Sequence, residues 1–563
     1  MTALRRPRVA FAAVAICLGF LSTGHAQMLP SGPQVLTFFS TVDDTDQPYA
    51  IYLPPDFDAS AEYPLVISLH GAGSNHRLNL RRVFGKSNKP GENDVEASRY
   101  FPDWEAVNYI VASPYARGTM GYQTVAERDV MDVLADVKRR FPIDEDRIYL
   151  TGLSMGGGGA LWMGLTRPDV WAAIAAVCPA PPPSAKDYAP NALNLPVHLF
   201  QGADDTVVHP DSVRGWRDTL DALGTDVSYT EYPGVGHFSW ENAYAKGQIF
   251  DWFDQHERTA HPDRVRFTTR RYKYNTAHWV RIDALTPGTP AQIDAAFTDT
   301  NRLAITTQAL DGFTLYLADH PQAKTGRPLS LSIDGHSLSV MAADTLSFHS
   351  TDDGWAAGRY DAPPLAKRPG QEGPMSEAVA ARHVYVYGTA DDPSDAELQR
   401  RRKRAATAAT WSVYRGAFLR RVKVFPRVVA DRNVRESDLE TSNLVLFGTR
   451  QSNQLIARFG DRLPLRVDTT ATDYGLAYIF PRGSHYVLVS SGRPWWTAQA
   501  AHDRGAFGNQ VPALRLMGLK DYLLFDADGQ TIAEGRFTRQ WHVPEADLAA
   551  LESTGVVTVR SSR

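Results

Sequence analysis

The sequence predicts an α/β fold: a mainly parallel, doubly wound sheet flanked by helices, followed by a β-rich module and a smaller α/β unit. Three observations lead there. Between about residues 34 and 255, apolar runs of β-type composition alternate with helical patterns, as stacked βαβ units require. From residue 264 the pattern changes to short alternating strands, and from residue 383 two further apolar runs each end in Gly-Thr. With 563 residues the chain is too long for one core. The expected units are a signal peptide over 1–26, an α/β domain over 28–258, a β-rich module over 264–361, a linker over 362–382 and a C-terminal α/β unit over 383–563.

The elements follow in chain order. Arg5, Arg6 and Arg8 precede an apolar run from Val9 to Leu21, and the small residues Gly24 and Ala26 follow. This is the pattern of an export signal cleaved after Ala26. The run is shorter than the roughly 20 residues of a membrane-spanning helix. Ile16 stands where lipidation of Cys17 would need a small residue.

Runs at 64–69 (PLVISL), 109–112 (YIVA), 147–150 (RIYL), 172–177 (AAIAAV), 197–200 (VHLF) and 227–232 (VSYTEY) read as successive strands. Val130, Leu134, Val137 and Phe141 recur at helical spacing and mark a crossover helix with one buried stripe. In the β-rich module, strands are expected at 278–282, 303–307, 313–317 and 329–333. The Pro, Gly and Lys content of 362–374 reads as a linker. In the last unit, 383–389 and 443–449 are expected as buried strands. Ser394 and Glu397 form a capping-box pattern ahead of the basic run Arg400, Arg401, Arg402, Lys403 and Arg404. That run is either an anion patch or a solvated helix face balanced by Asp391, Asp392 and Asp395, and the solvated face is favoured.

Composition excludes several functions. The formal charge is −4, and cleavage would remove three arginines to leave about −7, which offers no attraction to nucleic acid or anionic membranes. Cys178 would be the single cysteine left, so no internal disulfide is expected. His76, His198 and His209 lack zinc-ligand spacing, and no metal or cofactor is implied. The last unit has neither G-x-G-x-x-G nor a Walker motif, so no nucleotide site is expected.

The chemistry centres on Gly152-Leu153-Ser154-Met155-Gly156, placed between a strand and a glycine-rich helix start. Attack on an acyl carbon needs a hydroxyl raised on a tight strand-to-helix turn, where flanking side chains would collide. The pentapeptide alone is common by chance, so its context decides. A serine needs a base, and the base needs an orienting carboxylate. Asp205 and His237 follow in that order, each on a loop after a strand. Asp204 is the alternative acid, and Asp129 on the crossover helix is expected to be structural. His70-Gly71-Ala72-Gly73 follows another strand, and the NH groups of Ala72 and Met155 are the expected oxyanion donors. His70 is expected to support that loop. Trp240 is a candidate wall of the substrate pocket, with packing at a helix start as the alternative.

Residues 34–255 resemble the secreted esterase and polyhydroxyalkanoate depolymerase-like branch of the α/β-hydrolases, and equally the catalytic domain of prolyl-oligopeptidase-family proteins. The likeness rests on HGAG at His70, GLSMGG at Gly152, GADDTVV at Gly202 and GVGH at Gly234. It implies acyl transfer through a covalent intermediate on Ser154. The leaving group would be an alcohol in the first branch and an amine in the second. No propeller-sized segment precedes the first strand, and no disulfide can form, so the chain departs from both patterns. An ester substrate, such as acetyl or feruloyl groups on polysaccharide, is the favoured reading; a serine peptidase and a noncatalytic binding protein on a hydrolase scaffold are the alternatives. Residues 74–102 are expected to cover the acyl pocket, with Arg77, Arg81 and Arg82 facing an acidic substrate or simply solvent. Tyr272, Tyr274 and Trp279 would bind carbohydrate if exposed, or fill the module's core.

Overall fold

The computed structural model describes residues 30–411, 423–467, 473–503 and 511–560. The signal peptide expected over 1–26 lies outside the described residues. Among them, no helix is long and apolar enough to cross a membrane.

Eight strands build the first sheet: β1 (Gly32–Ser40), β2 (Thr45–Leu53), β3 (Tyr63–Leu69), β4 (Ile110–Pro114), β5 (Ile143–Leu153), β6 (Ala173–Val177), β7 (Val197–Gly202) and β8 (Val227–Tyr232). Their order is β1-β2-β4-β3-β5-β6-β7-β8. The six from β3 to β8 run parallel, and β1 and β2 join antiparallel at one edge. This is the α/β-hydrolase topology. Every residue of β3 is buried, as a strand covered on both faces requires. Leu65, Ile67 and Leu69 enter one core, while Val66 enters the other beside Tyr149 and Phe253. Helices α1 (His76–Val83), α2 (Asp94–Ala97), α3 (Val125–Arg140), α4 (Met155–Thr166) and α5 (Pro210–Ala222) flank the sheet. The stripe of Val130, Leu134, Val137 and Phe141 is buried.

The six parallel strands coincide with the six apolar runs, whereas β1 and β2 escape the sequence reading. Their patterns explain it. β1 is half-exposed, with Val35 and Phe39 facing solvent, and β2 contains Pro48, which argues against a strand when read locally.

The β-rich module is a sandwich of two five-stranded sheets. Val265, Phe267, Ile293, Ile305 and Leu331 of one sheet meet Ile282, Phe313, Leu315 and Phe348 of the other in one core. The strand expected at 278–282 requires correction: Thr276–Ala277 and Val280–Leu285 are separate strands, joined by a turn at His278 and Trp279 in which His278 has φ 50°. Of the two readings of the module's aromatics, burial selects packing over carbohydrate binding. Tyr272, Tyr274 and Trp279 are buried, and their polar tips bond inward to Leu285 O, Glu127 Oε2 and Pro262 O at 3.0, 2.7 and 2.7 Å.

The stretch over 362–382 is more than a linker. Lys367 is buried against Asp521, and the buried Glu372 carboxylate accepts the NH groups of Tyr272 and Lys273 at 2.6 and 3.0 Å. A seven-stranded sheet follows, with strands at 427–430, 383–387, 443–447, 485–492, 475–482, 522–525 and 531–535 in spatial order. The first four run parallel.

The first sheet and the sandwich meet at Glu127. This buried carboxylate of α3 accepts Tyr274 Oη at 2.7 Å and pairs with Arg167, and Lys273 Nζ lies 3.5 Å away. Burial alone would raise its pKa, but Lys273 and Arg167 outweigh burial and hold it at about 2.

Candidate active site

Four strand ends converge at the carboxyl edge of the first sheet. β5 ends at Leu153 and α4 begins at Met155, so Ser154 occupies the turn between them with φ 55° and ψ −117°. A non-glycine residue in that region is strained, and the turn persists because its surroundings determine it. A Cβ on Gly152 would lie 2.3 Å from Gly156 O, and one on Gly156 would lie 2.1 Å from Leu69 O. Only glycine lets α4 start this close beneath β3 and β5.

The acid and base loops are pressed together in the same way. The Asp204 NH donates to Val235 O at 2.9 Å, and a Cβ on Gly202 would meet Gly236 O at 2.2 Å. This brings Asp205 and His237 side by side. His237 Nδ1 lies 2.8 Å from Asp205 Oδ2, and His237 Nε2 lies 3.0 Å from Ser154 Oγ. Asp205 is 2% exposed. Its Oδ1 accepts the NH groups of Val207 and Val208 at 2.8 and 2.9 Å, and Gln201 Nε2 lies 3.2 Å from Oδ2. Burial works against the carboxylate, but the hydrogen bonds from His237, Val208 and Val207 prevail and hold its pKa below the ordinary value. Asp204 is exposed, and it is Asp205 that meets the His237 ring.

The expected oxyanion loop runs beside the serine. A Cβ on Gly71 would lie 2.7 Å from Leu153 Cδ1 and 3.5 Å from Ser154 Cβ, which places Ala72 next to the nucleophile. Met155 opens α4, so its NH has no carbonyl one turn earlier in the helix to bond. His70 is fully buried, with Nδ1 at 2.8 Å from Gly71 O and Nε2 at 2.9 Å from Tyr115 O, and burial lowers its pKa against the pull of those two carbonyls. Tyr122 Oη donates to His70 O at 2.9 Å, and the Gly73 NH donates to Thr119 Oγ1 at 2.8 Å. His70 therefore braces the loop. Asp129 is buried against Arg117 at 2.6 Å, away from the serine line.

Trp240 is 7% exposed and stands edge-on to the His237 ring at 5.6 Å, so it packs behind the base more than it walls a pocket. Sequence reasoning missed its neighbours. Phe238 and Val207 are 65% and 69% exposed, and each adjoins one member of the serine line. Their adjacency to His237 and Asp205 in sequence was the signal available.

Arg77, Arg81 and Arg82 each have partners within the fold. Arg77 bonds Arg99 O at 2.9 Å, Arg81 is buried against Ala97 O at 2.7 Å, and Arg82 pairs with Asp94 at 3.2 Å while stacking over Trp240. They fold the segment onto α1 and bring it against Trp240. Among the described residues, Cys178, Asp205 and His237 are the one set of three metal-ligand side chains whose donor atoms lie within 4.8 Å of one another. Two of them belong to the serine line, and the third is a buried thiol behind it.

Residues 40–311 match the family model described as "Putative esterase", a span that includes most of the first sheet and enters the sandwich. An S-formylglutathione hydrolase of Paracoccus denitrificans (strain Pd 1222) is 26% identical over 165 residues, covering 26% of this chain and 57% of that protein. The match thus spans little more than half of that relative. Among solved structures, a ferulic acid esterase is similar at 21% identity with a TM-score of 0.34, covering 40% of this chain and 99% of the other. A puromycin hydrolase is similar at 19% identity with a TM-score of 0.31, covering 40% of each chain.

Proposed function

We propose that the protein is an exported serine hydrolase that cleaves carboxylic esters through an acyl-enzyme on Ser154. One observation carries this reading: groups from three separate strand ends form one hydrogen-bonded line, Ser154 Oγ to His237 Nε2 at 3.0 Å and His237 Nδ1 to Asp205 Oδ2 at 2.8 Å. The esterase family match and the curated relative named as an S-formylglutathione hydrolase support hydrolysis of an acyl group. Export rests on the signal pattern of residues 1–26.

In this mechanism His237 accepts the Ser154 proton as Oγ attacks the acyl carbon. The NH groups of Ala72 and Met155 receive the developing oxyanion, each donor contributing on the order of 3 kcal/mol. His237 then protonates the departing alcohol, and water releases the acyl group by the same steps. Asp205 stays ionised throughout, and Phe238 and Val207 receive the apolar part of the substrate.

The test is kcat/KM on aryl acetate, methyl ferulate, S-formylglutathione and a prolyl p-nitroanilide, each beside Ser154→Ala, with acetylated and feruloylated xylan completing the panel. Ester turnover that vanishes in the variant, with a silent anilide, supports the esterase reading. Comparable anilide cleavage makes the protein a peptidase. Activity that survives the substitution removes Ser154 from the chemistry. N-terminal sequencing of periplasmic and secreted fractions tests export, and a mature chain beginning at Gln27 is expected.

A further inference from the structure

The C-terminal sheet borders a cavity of its own. Its parallel strands lie in the order 427–430, 383–387, 443–447, 485–492. The chain leaves strand 383–387 for helix Asp395–Ala408 and one neighbouring strand, then returns on the opposite side as strand 443–447. Connections on either side of such a reversal diverge and leave a crevice at the carboxyl ends of the strands, the place where open α/β sheets bind ligands. A cavity of about 650 Å³ opens there, bordered by helix Asp395–Ala408 and by the loops after strands 443–447 and 485–492.

Its electrostatics are unbalanced. Arg400, Arg401, Arg404 and Arg493 line it, against two carboxylates, Asp391 and Glu397. Those carboxylates are already engaged. Arg401 grips Asp391 with two hydrogen bonds of 2.6 and 2.8 Å and Glu397 with one of 2.8 Å, and Arg400 bonds Glu397 at 2.9 Å. Among the described residues, Arg404 has one hydrogen-bond partner, donating to Gly492 O at 3.0 Å. The next residue is Arg493, whose buried Nε has no hydrogen-bond partner among the described residues. Among the described residues, neither guanidinium at this rim of the cavity forms an ion pair, and Glu397, the carboxylate that acts on Arg404, is held by Arg400 and Arg401. The hydroxyls of Thr449 and Ser452 lie on the opposite loop.

This divides the basic run in a way that neither sequence reading anticipates. Ser394 Oγ caps the helix by accepting the Glu397 NH at 3.4 Å, while the Glu397 carboxylate turns to the arginines. Arg400, Arg401 and Arg404 border the cavity and Arg402 and Lys403 do not, although Arg400 and Arg404 are exposed as well.

We propose that this cavity binds a small polar molecule carrying an oxyanion, held by Arg404 and Arg493. The volume lies in the range of small-molecule sites and exceeds what a bare inorganic ion fills. Arginine pairs with phosphoryl, sulfuryl and carboxylate groups through the same forked geometry, so the shared chemistry is the oxyanion, and the Thr449 and Ser452 hydroxyls suit a polar remainder. The proposal is independent of the chemistry at Ser154.

The experiment is calorimetric titration of the full chain with sugar phosphate, sugar sulfate and glucuronate at constant ionic strength, with glucose as the neutral control. Saturable one-site binding of at least one anion and none of glucose is expected, and the anion bound most tightly identifies the oxyanion class. Arg404→Gln and Arg493→Gln should each weaken that anion about tenfold. Arg402→Gln should leave its affinity unchanged. Basal hydrolysis of a small aryl ester should be unchanged in all three, and unchanged urea unfolding of each variant shows that the C-terminal sheet still folds. Absence of binding, or equal weakening by Arg402→Gln, overturns the proposal.

Discussion

Replacing Asp205 with asparagine tests the candidate site most sharply, because the structure dictates what the amide must do. Asp205 Oδ1 accepts two backbone NH groups, from Val207 and Val208 at 2.8 and 2.9 Å, and these donors cannot be satisfied by an NH2. In Asp205→Asn the amide oxygen must stay with them, which turns the NH2 toward His237 Nδ1, now 2.8 Å from Oδ2. A donor there selects the His237 tautomer whose proton sits on Nε2, facing Ser154 Oγ at 3.0 Å. That ring cannot accept the serine proton. Loss of the base together with loss of the imidazolium's counter-charge should lower kcat by roughly 10³ to 10⁴, about 4 to 5.5 kcal/mol of barrier. KM should change little, because Asp205 is buried behind the base. The assay is steady-state hydrolysis of an aryl acetate, with Asp204→Asn alongside. A variant that keeps a tenth of the wild-type kcat, or an equal loss in Asp204→Asn, would refute the reasoning.

Three other outcomes are expected. Gly156→Ala places a methyl 2.1 Å from Leu69 O, where backbone has to move, and should cost about 3 kcal/mol in urea unfolding; full stability would mean that α4 shifts freely against β3. Glu127→Gln should cost about 3 kcal/mol at neutral pH, since a carboxylate held at about 2 in the folded chain and near 4.3 when unfolded contributes about that much. Because the folded pKa is depressed, this contribution is complete above about pH 5 and disappears as pH falls through 4.3 toward 2. Urea titrations should accordingly converge in acid, and an undiminished gap at pH 3 would refute the charge explanation. Cys178 is fully buried and its thiol is pushed up to about 12, mainly by desolvation. A thiol reagent at pH 8 should label it only after denaturation, and rapid native labelling would contradict its burial.

The serine line was legible because each of its members is announced by neighbours that serve the backbone. Gly152, Gly156 and Gly202 stand where chains approach too closely for a Cβ, and such glycines leave a pattern in sequence. The parallel strands were legible because burial on both faces makes continuous apolar runs. What sequence hid was set by tertiary partners. Trp279 and Tyr274 look alike on paper whether they meet a ligand or a core, and only packing against Pro262 and Glu127 distinguishes the two. The same holds for Arg81 and Arg82, whose partners at Ala97 and Asp94 lie a loop away. The cavity beside Arg404 and Arg493 depends on residues almost 90 positions apart, and no local period encodes it.

Glu127 also bears on how this chain can be divided. A version ending near residue 258 would keep the serine line whole and lose Tyr274 and Lys273, leaving Arg167 and the indole of Trp162 to satisfy the same carboxylate. The face of α4 and the turn around Tyr188 that now rest on Tyr274 would be opened to water. An excised hydrolase would be prone to self-association, and its heat inactivation would begin at this seam before the serine line is disturbed. Transplanting the catalytic function to another polypeptide accordingly means carrying residues 271–274 along, or replacing Glu127 together with its cations by an apolar set of matching volume.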